Sequence, residues 1–176
     1  RRFPGIPIHP DIRELTADDL YAAGCRPDTT VTAAGFPCQD LSIAGSRRGM
    51  GEGTRSGLFW HVDRLLAEFA PRWVLLENVP GLLSSHSGRD MGAVLGALAD
   101  RGYGYAYRVL DAQRFGVPQR RERVVIVGHL GEPWTAPAQV LLEPDCCGWD
   151  FATLRESGSR ATGGAGAGSG ITRVTV

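Results

Sequence analysis

Two short apolar runs joined by one amphipathic helix constrain this chain more than any other feature. Thr29-Thr30-Val31-Thr32-Ala33-Ala34 is β-branched and apolar and reads as a buried strand. Trp73-Val74-Leu75-Leu76 is a continuous apolar run and fits a buried parallel strand. Between them Leu58, Phe59, Val62, Leu65, Leu66 and Phe69 recur at helical spacing, predicting a helix over about 57–69. A strand–helix–strand unit places its two strands parallel through a right-handed crossover. The expected class is therefore α/β, with helices on both faces of the sheet. Chemistry is expected at the carboxyl ends of the strands, where open sheets bind ligands.

The rest of the chain extends this unit. Thr16-Ala17-Asp18-Asp19 resembles a capping box for a short helix, 17–23, that Gly24 ends. Met91, Val94, Leu95 and Leu98 share one face of a second helix, about 90–100, which Gly102 closes. Residues 103–110 and 123–127 read as strands separated only by a loop, so an antiparallel pair is expected. From Gly131 the pattern weakens, and 156–170 is low-complexity and linker-like. Two segments are expected: a catalytic unit over 1–130 and a tail over 131–176.

Composition excludes little. At 176 residues the chain holds one domain's worth of sequence, with 43% apolar and 22% charged residues. Net charge is zero, and all 19 basic side chains are arginine. Nucleic-acid binding would then rest on local arginines rather than on a global basic surface. The four cysteines, Cys25, Cys38, Cys146 and Cys147, have no zinc spacing. No apolar run reaches membrane-span length, and Arg1-Arg2-Phe3-Pro4-Gly5 lacks the apolar core of a signal peptide. Free thiols without a signal peptide point to a reducing cytoplasm.

One edge of the expected sheet collects the reactive groups. Cys38 follows the first strand on a turn set by Gly35 and Pro37, where a thiolate nucleophile can be presented. Glu77 ends the second strand. If the 103–110 strand is parallel to both, the loop after it brings Gln119, Arg121 and Arg123 to the same edge. Residues 40–56 carry four glycines among Arg47, Arg48 and Arg55 and read as a positively charged flap. Singly, Cys38 fits a buried turn residue, Glu77 a solvated strand end, and the arginines a charged turn. His61 and His86 have no evident partner and read as structural or surface residues.

Together the stretches GFPCQDLSIAG (35–45), ENVPG (77–81) and FGVPQRRERVVIVG (115–128) closely resemble the C5-cytosine DNA methyltransferases, in family order. The resemblance runs from about Pro7 to Gly128. It implies a Rossmann-like S-adenosylmethionine-dependent methyltransferase sheet. It also implies a double-stranded DNA substrate, with the target cytosine flipped out of the stack. Cys38 matches the nucleophile that adds to C6. Glu77 matches the acid at N3 and the exocyclic amine. Arg123 matches the residue that contacts O2, and Arg121 its supporting neighbour. Phe36 and Pro37 would line the base pocket. Gln39, Asn78 and Gln119 belong to the matched motifs. Arg47, Arg48 and Arg55 are candidates for phosphate contacts. Asp11, in Pro10-Asp11-Ile12, matches the acid that meets the cofactor adenine, and Pro37 borders the methyl donor.

The same resemblance implies parts that this sequence does not supply. The family's Gly-rich cofactor loop would precede Pro7, and its closing motifs would follow a target recognition region. The sheet is thus expected to be incomplete, with a partner chain or further segment supplying the cofactor loop. Three readings compete with the leading one: a partner-dependent, non-catalytic DNA-binding piece; the tRNA-methylating branch, which resembles Pro-Pro-Cys-Gln rather than Phe36-Pro37-Cys38-Gln39; and a thiol hydrolase pairing Cys38 with a histidine. The last lacks a base–orienter pair.

Overall fold

The computed structural model describes residues 7–37, 57–116 and 118–142. The elements run α1 (Ala17–Ala22), β1 (Val31–Gly35), α2 (Gly57–Phe69), β2 (Trp73–Asn78), α3 (Arg89–Asp100), β3 (Tyr103–Asp111), β4 (Glu122–Leu130) and α4 (Thr135–Leu141). Short 3₁₀ turns lie between β2 and α3 and between β3 and β4. The four strands form one mixed sheet in the order β1-β2-β4-β3. β1 and β2 are parallel, as the crossover requires, and β4 is antiparallel to both of its neighbours. β3 therefore points the same way as β1 and β2.

Side-chain parity separates the two faces. Val74 and Leu76 of β2, Val124 and Ile126 of β4, and Tyr103 and Tyr107 of β3 share one face. All are buried, and they pack against Phe59, Val62 and Leu66 of α2 and Val94, Leu95 and Leu98 of α3. Burying each large aliphatic side chain there stabilises by roughly 1.5–3 kcal/mol, so this seam dominates the fold. Two contacts tie its helices and loops together. Arg101 grips Asp63 across α3 and α2, at 2.7 and 2.6 Å. The Tyr103 hydroxyl donates to the Pro71 carbonyl at 2.6 Å.

The opposite face is covered by α4, which lies over β3 and β4 with Pro137 and Ala138 buried. Gly104 permits this approach, because a Cβ there would lie 2.1 Å from the Glu132 carbonyl oxygen. Toward β1 that face is bare: Val31 is 59% exposed and Leu75 37%. Among the described residues β1 pairs only with β2, so its outer edge is open.

The sequence placed these elements closely, with some differences. β1 spans Val31–Gly35 rather than 29–34, and its residues alternate between exposed and half-buried instead of being buried, because among the described residues only β2 pairs with it. β4 extends to Leu130, beyond the expected 127, because Gly128 and His129 continue the ladder with β2 and β3. Residues 112–115 form a 3₁₀ turn inside the expected loop, capped by Asp111. α4 falls in the segment expected to be a tail, and it packs on the sheet. Neither its seven residues nor an internal proline advertises a helix. No described helix is long and apolar enough to cross a membrane.

Candidate active site

The site is assembled at the carboxyl ends of β1 and β2. Parallel register pairs Gly35 with Glu77, so the β1 turn and the Glu77 carboxylate leave the sheet side by side. β4 enters from the opposite direction and sets Val125 against Glu77, two residues after Arg123. The result is an ion-pair cluster: Arg123 Nε lies 2.7 Å from Glu77 Oε1, and an Arg121 terminal nitrogen lies 3.6 Å from the same oxygen. Arg123 also donates from a terminal nitrogen to the Glu122 carbonyl at 2.7 Å, which fixes its guanidinium plane. Glu77 is 39% exposed, so the cluster is open to a ligand and its Coulomb attraction is screened by water.

Asn78 sits directly behind the carboxylate and is buried. Its Nδ2 donates to the Phe36 carbonyl at 2.8 Å, and its Oδ1 accepts from the Val79 N–H at 2.8 Å. The side chain thus clamps the turn before Cys38 onto the end of β2. The Phe36 ring is buried against Phe59, with centroids 5.0 Å apart, and anchors the turn from the core side. Pro37 is exposed beyond it. Gln119 is exposed on the β3–β4 loop. Cys38, Gln39, Arg47, Arg48 and Arg55 lie outside the described residues.

Two supporting residues have roles that the sequence did not give: Asp111 carried no motif, and Gly35, expected to set the turn before Cys38, is the last residue of β1. Asp111 Oδ1 accepts from the backbone N–H groups of Gln113 at 3.2 Å and Arg121 at 3.1 Å. It thereby folds the loop that carries both arginines. An aspartate opening a turn is the available clue, since such residues cap orphan amides. Gly35 is the other. A Cβ at that position would stand 3.3 Å from Glu77 Oε2.

Asp11 lies apart from this cluster. Arg13 holds both of its oxygens, with Nε at 3.0 and 2.9 Å and a terminal nitrogen at 2.6 Å. The Arg13 side chain, and then its backbone N–H, hold the Asp11 carboxyl down at about 2. Beside it a cleft of about 270 Å³ runs along β1, lined by Ile12, Leu15, Leu20, Thr32, Ala34, Val62 and Leu66. His86, read from sequence as lacking a partner, meets buried Asp90 at 2.9 Å. Burial pushes the Asp90 carboxyl up, but hydrogen bonds from Ser85 and His86 outweigh it and leave it below the usual range. Among the described residues no group of three or more His, Cys, Asp or Glu side chains could hold a metal ion.

A family model described as C-5 cytosine-specific DNA methylase matches residues 2–143. The chain belongs to this family. Its curated relatives include the type II methyltransferase M2.BsuMI of Bacillus subtilis (strain 168), 40% identical over 149 residues, covering 82% of this chain and 35% of that protein. Another is M.NgoBI of Neisseria gonorrhoeae, 46% identical over 118 residues, covering 67% of this chain and 35% of the relative. This methylase-family chain thus spans about a third of the length of the curated relatives it matches. The fold agrees. The S. pombe Dnmt2 methyltransferase superposes with a TM-score of 0.52 at 23% identity, over 71% of this chain and 37% of that one. A putative DNA modification methyltransferase from an E. coli prophage gives 0.52 at 24% identity, over 68% and 32%.

Proposed function

We propose that this chain carries the catalytic half of a DNA (cytosine-5)-methyltransferase acting on a cytosine flipped out of duplex DNA. One observation carries the reading. The Glu77 carboxylate, held by Arg123 at 2.7 Å, emerges in register with Gly35, three residues before Cys38. A carboxyl and a guanidinium side by side match the edge of a cytosine: the carboxyl meets N3 and the exocyclic amine, and the guanidinium meets O2.

In this reading the Cys38 thiolate adds to C6, and Glu77, as the neutral acid, gives its proton to N3 as negative charge develops there, leaving an enamine whose C5 is nucleophilic, while Arg123 stabilises O2. S-adenosylmethionine supplies, when bound, a methyl group on an electrophilic sulfonium. After C5 has taken that methyl, the C5 proton is lost to solvent, the C5–C6 double bond re-forms, Cys38 leaves as thiolate, and N3 returns its proton to Glu77. The order of groups matches the need, since C5 of a free cytosine is a poor nucleophile.

The described residues fit one end of the cofactor. The apolar cleft beside Asp11 and Ile12 suits a flat heteroaromatic ring. At about 270 Å³ it is below the range of about 300–1,000 Å³ that a whole small-molecule ligand occupies. Asp11 would be the polar contact for that ring, in exchange for part of its pairing with Arg13. The remaining grip on the cofactor is assigned to a further polypeptide segment seated on the open edge of β1. Arg47, Arg48 and Arg55 are assigned to backbone phosphates.

Covalent trapping tests the proposal. The chain is mixed with duplex DNA containing 5-fluorocytosine and with S-adenosylmethionine, with and without a segment carrying the family's Gly-rich cofactor loop. The expected result is a denaturation-resistant adduct in the supplemented sample, abolished by Cys38→Ser. Absence of adduct in both samples, with DNA bound in each, would leave a DNA-binding module in its place.

A further inference from the structure

We infer that Gly35 is a positioning residue for Glu77: its missing side chain is the gap in which the carboxylate lies. The inference deepens the proposed function, since it concerns the acid assigned there. Gly35 is the last residue of β1, laddered with Glu77. A glycine at a strand end has two physical uses, backbone freedom and the absence of a side chain. The first serves a left-handed backbone. Gly35 is a regular member of β1 with no positive φ, unlike Gly24, Gly88 and Gly102.

Space supplies the reason instead. Gly35 and Glu77 are direct partners in the parallel ladder, with side-chain positions on the same face. A Cβ at Gly35 would come 3.3 Å from Glu77 Oε2, closer than carbon and oxygen ordinarily rest. The nearest other atom to that Cβ is the Glu77 carbonyl oxygen at 3.9 Å, so the carboxylate alone is crowded. A free glutamate would swing away by a few tenths of an ångström. This one is tethered, because Oε1 is held by Arg123 Nε at 2.7 Å and Arg123 is itself bonded to the Glu122 carbonyl. Moving Oε2 outward rotates Oε1 off that guanidinium. The backbone of β1 thus fixes the carboxylate from one side and Arg123 from the other. Oε2 is the oxygen left to meet a base.

The test needs neither DNA nor cofactor, so its outcome is independent of the trapping experiment. Gly35→Ala is made in the wild-type chain and in Glu77→Ala. The Arg123 Nε–H is followed by ¹⁵N NMR, and thermal midpoints are recorded for all four proteins. Gly35→Ala is expected to speed exchange of the Arg123 Nε–H roughly tenfold, the change that loss of one charge-assisted hydrogen bond produces. It should lower the midpoint in the wild-type background and raise it in Glu77→Ala, where the methyl group has room. If Gly35→Ala alone does not fold, the double variant should. Equal shifts in both backgrounds with an unchanged Arg123 signal, or a double variant that also fails to fold, would overturn the inference.

Discussion

Asn78 shows how much of this site rests on a single neutral side chain. Its amide meets two backbone groups, the Phe36 carbonyl just after β1 and the N–H of the residue that follows Asn78, and the bond to Phe36 is buried. Asn78→Ala would leave the Phe36 carbonyl without its donor inside the protein. The expected loss is about 1–3 kcal/mol of unfolding free energy, read from urea denaturation. Exposed Gln119 should tolerate alanine within about 0.5 kcal/mol in the same assay. The contrast marks what a sequence can say about single residues. That Glu77 and Arg123 share one sheet edge was legible on the condition that the 103–110 strand runs parallel to the first two; their contact also needs β4 beside β2, an order that the motifs do not specify. The Asn78 clamp was not legible, because it joins residues 42 apart through an amide whose direction no pattern encodes. The Phe36 ring packs on Phe59, a core contact that no motif encodes, and its place beside the base belongs to the proposed reading.

At the scale of elements, two contacts hold the layers in place and can be tested separately. The Tyr103 hydroxyl ties the start of β3 to the turn after α2, and burial pushes its phenol up to about 12. The unfolded chain releases this proton near pH 10, well before the folded one does. The folded state then binds more protons than the unfolded state, and stability falls as pH rises from about 10 toward 12. Tyr103→Phe should remove that part of the alkaline slope and lower stability at neutral pH by about 1–2 kcal/mol, measured by denaturant titration at pH 7 and 11. Gly104 is the second contact. A methyl there meets backbone atoms of Glu132, Pro133 and Trp134, all closer than 3 Å. Backbone cannot swing aside, so Gly104→Ala should cost about 3 kcal/mol or more and release α4 to hydrogen exchange. The sequence revealed the β3–β4 pair but not which of the two lies beside β2. The clue was present: Val124-Val125-Ile126-Val127 is apolar on both faces, as an inner strand must be, whereas β3 mixes tyrosines with glycine and Arg108.

For the molecule as a whole, the open edge of β1 is the main liability. Its outer backbone groups are unpaired among the described residues, and Val31 and Leu75 expose apolar surface beside them. Sheets with such edges associate through them. Val31→Lys should place a charge on that edge, raise the soluble fraction and shift sedimentation toward monomer. Its thermal midpoint should stay near that of the parent, because the side chain is 59% exposed. An unchanged sedimentation profile would show that association, if present, uses another surface. The incompleteness of the sheet was legible only through the family resemblance, since hydropathy alone reads β1 as a buried strand.

The strand order has one more consequence, for the chain as it leaves the ribosome. β2 is flanked on one side by β1 and on the other by β4, which is translated more than forty residues later. A nascent chain that has emerged only as far as Asp111 has β1, β2 and β3, yet β3 has no neighbour to join. β4 is the keystone that closes both gaps, and it brings Arg123 to Glu77 in the same stroke. Synthesis must therefore run past Leu130 before the four strands can join and Arg123 can reach Glu77; until then β1 and β2 alone can pair.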